Sequence, residues 1–162
     1  MVKPTKRRRI GRQAHKKIVM NGYLMQEKDI VPGENVFIES VSPENRYGVV
    51  FEDDGDTAYF YALEMDESGG GMKVLDALHI YEAPDPDDPP PPGSGKGPGT
   101  SKVLIVWSKD WMKCALVLDG YCQAIFDFEA HGGYNINEFP EPNSIWTKGD
   151  RKLTNELIQQ LF

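Results

Sequence analysis

Cysteine is scarce in this chain, and long apolar runs are missing from it. Only two cysteines occur in 162 residues, which argues against a disulfide-stapled secreted scaffold and for a reducing compartment. The apolar run behind the positive N-terminus, Ile18-Val19-Met20, breaks at Asn21-Gly22, too short for a secretory core. Nothing approaches the roughly 20 apolar residues of a membrane-spanning helix. The cytoplasm is therefore the expected location, with no membrane partner. Acidic residues are also missing from the first 17 positions, which carry eight Lys or Arg. Beyond them ten basic residues stand against 25 acidic ones, so the body of the chain carries about −15 against a whole-chain −7.

The residue patterns of several chemistries are absent as well. Gly93-Ser94-Gly95-Lys96-Gly97 resembles a phosphate-binding loop only in part. The first glycine of that motif falls on Pro90, its Ser or Thr falls on Gly97, and a strand rather than a helix follows. The acids Glu52-Asp53-Asp54-Gly55-Asp56 fit one position of a calcium loop, but Val50 occupies the next. A solvated hairpin tip is the simpler reading. His15, His79, His131 and the two cysteines lack zinc-ligand spacing. No Gly-x-Ser-x-Gly element is present, and His131, a conceivable loop base, has no nucleophile beside it. No catalytic residue, metal or cofactor is expected.

What is present is β-forming. The length suits one domain, with 1–17 expected as a disordered basic arm and 18–162 as a single mainly-β domain. Pro84 to Ser101, rich in Pro and then Gly, reads as a solvent loop. Two apolar runs flank Asp119-Gly120, a strong hairpin signal, and a similar pair flanks Asp54-Gly55. The expected architecture is α+β but mainly β. Two pseudo-repeated three-stranded antiparallel meanders would form a sheet or a partly open barrel, with a C-terminal helix on one face, and the pattern leaves open whether the two halves share one sheet or form two.

The finer expectations follow from alternation. A small hairpin is expected at Asn21-Gly22. In the first meander, Phe51 would face Ala58 and Val49 would face Phe60 on an apolar side, leaving Val50, Glu52, Thr57 and Tyr59 on a mixed one. In the second, Trp111, Ala115, Val117, Cys122, Ala124, Phe126 and Phe128 would share one face, with Cys114, Leu116, Leu118, Tyr121 and Ile125 on the other. Cys114 and Cys122 then point apart and cannot form a disulfide. Met72 to Tyr81 fits a strand or a short helix entering one. His131 to Lys148 reads as irregular, and Asp150 to Phe162 as a helix capped by Asp150 or Thr147. Its stripe of Leu153, Leu157 and Leu161 would cover a sheet face.

Charge carries the functional expectation. An acidic body is steered toward basic partners, the profile of small proteins that neutralise toxic nucleases. The leading reading is a non-catalytic inhibitor or immunity-type protein that caps a basic toxin or effector. Glu52, Asp53, Asp54, Asp56, Glu64, Asp66 and Glu67 would supply charge complementarity, with exposed aromatics of Tyr134 to Trp146 as a contact loop; Phe139, Ile145 and Trp146 equally suit the core. The alternative is weak, sequence-independent RNA or DNA binding through Lys6, Arg7, Arg8, Arg9, Arg12, Lys16 and Lys17. That arm has no aromatics for base stacking.

Val36 to Ser40, Tyr47 to Gly55, Tyr59 to Ala62, Val103 to Ser108, Ala124 to Glu129 and the Phe139 to Trp146 segment together resemble a bacterial family, domain of unknown function 2251. The resemblance spans about residues 30 to 162 and leaves the basic arm outside. It implies a bacterial single-domain protein and carries over no activity or catalytic residues.

Overall fold

Two antiparallel sheets share the nine strands of the computed structural model, which describes residues 20–85, 87 and 99–162. The strands are β1 (Gly22–Ile30), β2 (Val36–Val41), β3 (Tyr47–Asp53), β4 (Thr57–Met65), β5 (Met72–Glu82), β6 (Ser101–Ser108), β7 (Lys113–Leu118), β8 (Tyr121–Asp127) and β9 (Gly132–Asn135), followed by the helix α1 (Asn155–Leu161). Five strands form one sheet in the order β1-β6-β7-β8-β9, and four form the other as β2-β3-β4-β5. The chain is thus mainly β with one C-terminal helix. The two halves form two sheets, the alternative that the sequence left open, and no closed barrel forms among the described residues.

Strand alternation places the core. Ile38, Val49, Phe51, Ala58, Phe60 and Ala62 of the four-stranded sheet meet Val103, Ile105, Trp107, Cys114, Leu116, Ala124 and Phe126 of the five-stranded one. Phe60 stacks on Phe126 across the gap with ring centroids 5.2 Å apart. The buried Trp107 indole donates to Ser40 Oγ at 2.9 Å, so a polar group inside this core is paired. A second cluster lies on the far side of the five-stranded sheet. There Leu153 and Ile158 cover Ala115, Cys122 and Ile125, with Leu157 and Leu161 packed alongside.

Several local expectations are corrected. Gly22 does not turn the chain: it opens a nine-residue strand and pairs with Ser108. A side chain there would meet Trp107 O at 2.3 Å, so the glycine serves close approach of two backbones. In the Asp54-Gly55 hairpin Asp53 pairs with Ala58, leaving four residues between them where two were expected, which slides the pairing to Phe51 with Phe60 and Val49 with Ala62. A slide of two residues preserves the faces.

In the second hairpin a bulge between Leu116 and Val117 pairs Leu116 with Ala124 and Cys114 with Phe126. That single extra residue moves Ala124, Phe126 and Phe128 to the side of Cys114. Cys122 stays on the opposite face, in the second cluster. Both thiols are free and buried.

Residues 72–82 are all strand, and the segment expected to be irregular begins with β9. The helix starts later than expected. Thr154, not Asp150 or Thr147, caps it by accepting from the Leu157 N–H at 3.0 Å. The basic arm and residues 86 and 88–98 of the Pro/Gly-rich loop lie outside the described residues.

Candidate functional site

The outer face of the four-stranded sheet belongs to neither buried cluster. Strand register lines up Phe37, Glu52, Tyr59 and His79 across β2, β3, β4 and β5. The next row holds Glu39, Val50, Tyr61 and Ala77. Directly opposed side chains in such rows stand about 5 Å apart at Cβ, so these residues form one surface. Phe37 is 59% exposed, whereas Val50 beneath it is nearly buried. Tyr59 stacks with Tyr61 at 6.0 Å and meets the His79 ring edge-on at 5.4 Å.

Phe139 extends this row from outside the sheet, edge-on to His79 at 5.9 Å. It sits on the loop that follows β9, and the loop is firmly held against β5. His79 N–H donates to Phe139 O at 3.0 Å, and Asn143 Nδ2 donates to Leu75 O at 3.2 Å. The buried Asn135 amide donates to His79 O and Phe139 O, each at 2.8 Å. Glu138 and Ser144 both adopt left-handed backbone, φ 59° and 64°, a conformation non-glycine residues hold only when their surroundings impose it. A rigid loop thus holds Phe139 and Ile145 out in water, Ile145 at 88% exposure.

His79 is fixed in one tautomer by this arrangement. Asn137 Oδ1 accepts from the Phe139 N–H at 3.0 Å. Its Nδ2 therefore donates to His79 Nδ1 at 2.6 Å, and His79 Nε2–H donates to Glu82 Oε2 at 2.7 Å. The imidazole is occupied on both nitrogens, which makes it a support for Tyr59 and Phe139.

The acids expected to form one contact set are divided by the fold. Glu52 lies on the open face. Asp54 and Asp56 are exposed at the β3–β4 tip, where Asp54 Oδ1 accepts from the Asp56 and Thr57 N–H groups at 2.9 Å each. These bonds, that from Thr57 foremost, hold the Asp54 carboxyl below its ordinary range. Asp53 is buried and turned inward. Its carboxylate accepts from Gly33 N–H at 2.7 Å, Gly55 N–H at 2.8 Å and the Tyr81 hydroxyl at 2.6 Å. It builds the turn and offers nothing to a partner.

Glu64, Asp66 and Glu67 stand at the other end of the hairpin, roughly 20 Å away along β4. There they line an open cleft of about 580 Å³ with Arg46 and Lys73. Arg46 pairs with Glu67 at 3.0 Å and Glu64 at 3.8 Å, so this end is of mixed charge.

The aromatic pair chosen from sequence marks the anchored ends of the contact loop. Trp146 is buried and stacks on His131 at 4.8 Å. Tyr134 is half-buried against the helix-side cluster, where burial, with Asp127 and Asp150 nearby, pushes its hydroxyl up. The loop's exposed apolar residues are Ile136, Phe139 and Ile145. Phe37 and Tyr61 escaped notice too, although each sits at an outward position between inward-facing neighbours, a period-2 signal. The arm residues Lys6 to Lys17 lie outside the described residues.

Residues 30–162 match the family described as "Uncharacterized protein conserved in bacteria (DUF2251)". The chain belongs to that family. The family match begins at Ile30, the last residue of β1, and takes in both sheets beyond it, the contact loop and α1. An "Uncharacterized protein" of Haemophilus influenzae is 34% identical over 116 residues, 70% of this chain and 65% of the relative's own length. No solved structure matches the chain. Among the described residues no helix is long and apolar enough to cross a membrane.

Proposed function

We propose that this family member is a non-catalytic protein-binding domain of the inhibitor or immunity type, which neutralises a basic toxin or effector in the cytoplasm. One observation carries the reading: an uncovered aromatic patch, Phe37, Tyr59, Tyr61 and Phe139, with the carboxylate of Glu52 at its middle and those of Glu39 and Glu82 beside it. Aromatic residues are enriched at the centres of protein interfaces, and tyrosine is among the residues that most often carry their binding energy. Acids at the rim steer a cationic partner and set its orientation. The contact set is accordingly centred on this face and on Asp54 and Asp56 at its end, away from the Arg46 cleft. We also read β2–β4 and β6–β8 as copies of one unit, the second covered on both faces and the first open on its outer one.

The test is calorimetric titration of the full chain with the protein encoded beside its gene. Saturable binding is expected, weakening as salt rises and lost in a Phe37→Ala, Tyr61→Ala double variant that keeps its melting temperature. No saturable binding, or binding indifferent to salt, overturns the proposal. Nucleic-acid association through the eight basic residues of 1–17 is a second reading. Deleting those residues without changing affinity for RNA and DNA removes it.

A further inference from the structure

Glu52 is surrounded by groups that suit a cation, yet no cation serves it. Register places Phe37 on one side of it and Tyr59 on the other. Tyr61 lies diagonally, close enough that the Glu52 charge helps raise its hydroxyl, after the larger effect of burial. Glu39 lies on the opposite diagonal, beside Val50. Val50 is nearly buried and forms the apolar floor between them. Glu52 is itself only partly exposed. Among the described residues neither Glu39 nor Glu52 forms an ion pair.

We infer that Glu52, Tyr59 and Tyr61, with Phe37 and Glu39, form a receptor for one arginine side chain presented by the partner. This rests on the protein-binding reading above and names the chemistry at its centre. A guanidinium is planar and weakly hydrated, stacks on a tyrosine face, and meets a carboxylate with two parallel N–H donors. An ammonium offers the charge without the stacking plane. The tyrosine rings supply the face, Glu52 supplies the acceptor at the row's middle, and Glu39 adds charge within reach. The edge-on contact of His79 with Tyr59, backed by the edge-on contact of Phe139 with His79, holds the Tyr59 ring in place before the guest arrives, which removes an ordering cost from binding.

The experiment titrates the full chain with the peptides acetyl-Gly-Arg-Gly-amide, acetyl-Gly-Lys-Gly-amide and acetyl-Gly-citrulline-Gly-amide, followed by amide NMR. Saturable shifts are expected at residues 37, 52, 59 and 61 for the arginine peptide. Lysine should bind about threefold more weakly and citrulline about tenfold more weakly. Glu52→Gln should weaken arginine about fivefold, and Tyr61→Leu, which keeps bulk but removes the aromatic face, by a similar factor. Equal binding of citrulline or lysine, shifts confined elsewhere, or an unaffected Glu52→Gln variant overturns the assignment. The two proposals fail separately. A neighbouring gene product whose salt-sensitive binding ignores Glu52→Gln removes the arginine receptor alone. Arginine binding at this face without any protein partner removes the inhibitor reading alone.

Discussion

Arg151 grips both carboxylate oxygens of Asp76, Nη2 to Oδ1 at 2.8 Å and Nη1 to Oδ2 at 2.9 Å, across 75 residues of chain. Both side chains are almost wholly buried. Arg151 also donates to Gly133 O at 3.2 Å and from Nε to Pro140 O. Asp76 accepts further from Ala77 N–H and the Thr147 hydroxyl. One ion pair thereby ties β5 of one sheet to β9 of the other and to the contact loop between them.

Removing either partner strands a buried charge. Asp76→Ala or Arg151→Ala should each cost about 3–5 kcal/mol in urea unfolding, whereas joint replacement by Leu and Met should cost much less. Additive losses in the double variant would show that the pair is not coupled.

Gly133 tests the same junction without removing a charge. A β-carbon there would lie 2.7 Å from Asp76 Oδ2 and 3.0 Å from both Arg151 Nη1 and Phe126 Cε1. Gly133→Ala should therefore destabilise by about 1–3 kcal/mol, the cost of overpacking. Exposed Gly149→Ala is the wrong control, because φ there is +76°; Ile145→Ser, on a side chain standing in water, should change stability by under ~0.5 kcal/mol.

Between the sheets the vulnerable polar contact is Trp107 to Ser40. Ser40→Ala leaves the indole N–H buried without an acceptor, at a cost of about 1–3 kcal/mol. Equilibrium unfolding followed by tryptophan fluorescence measures it. An unchanged midpoint would mean the indole has found another acceptor.

The pH dependence has a definite sign. Burial pushes the Cys122 thiol from 9.0 up to about 12, and burial raises Cys114 well above its ordinary value. Across that window the folded state holds protons that the unfolded chain has released. Stability is therefore full below about pH 9 and falls as pH rises. Tyr81 adds to the fall above pH 10, since burial and then its bond to the Asp53 carboxylate raise its hydroxyl. Unfolding free energy measured from pH 7 to 11 should drop, and Cys122→Ala should flatten the early part of the drop. At pH 8 neither thiol should react with an aromatic disulfide reagent until the protein is unfolded.

Local chemistry was the most legible part of the chain. Asp119 and Gly120 both take positive φ, 50° and 87°, as the two-residue turn between Leu118 and Tyr121 demands. The inward face of β3 and β4 also followed from alternation, even though a longer loop shifted the pairing. What alternation cannot reveal is an inserted residue. The bulge at Leu116 exchanged the faces of Ala124 and Phe126, and nothing in the local residue types marks it. Asn21-Gly22 carries turn chemistry but sits where Gly22 must approach the Trp107 backbone, so a tertiary demand overrode the local one.

The acids and aromatics singled out in the sequence divide between surface and interior. Charge pointed to Glu52 to Asp56, but Asp53 is inward by the same period-2 rule that sends Glu52 outward. Of the loop residues that could either face a partner or tuck into the core, Trp146 is buried, whereas Phe139 and Ile145 are exposed. Size favours burial, so the exposed members were the ones least conspicuous in composition.

The pairing of β1 with β6 governs how the chain can be assembled during synthesis. Gly22 to Ile30 finds its hydrogen-bonding partner only at Ser101 to Ser108. The β2–β5 meander needs no residue beyond Glu82 for its own ladder. On a ribosome this meander can close while the first strand still waits, its backbone groups unpaired, for the second half to emerge. A product arrested before residue 101 would expose that waiting strand, and a chaperone or a second nascent chain would meet it first.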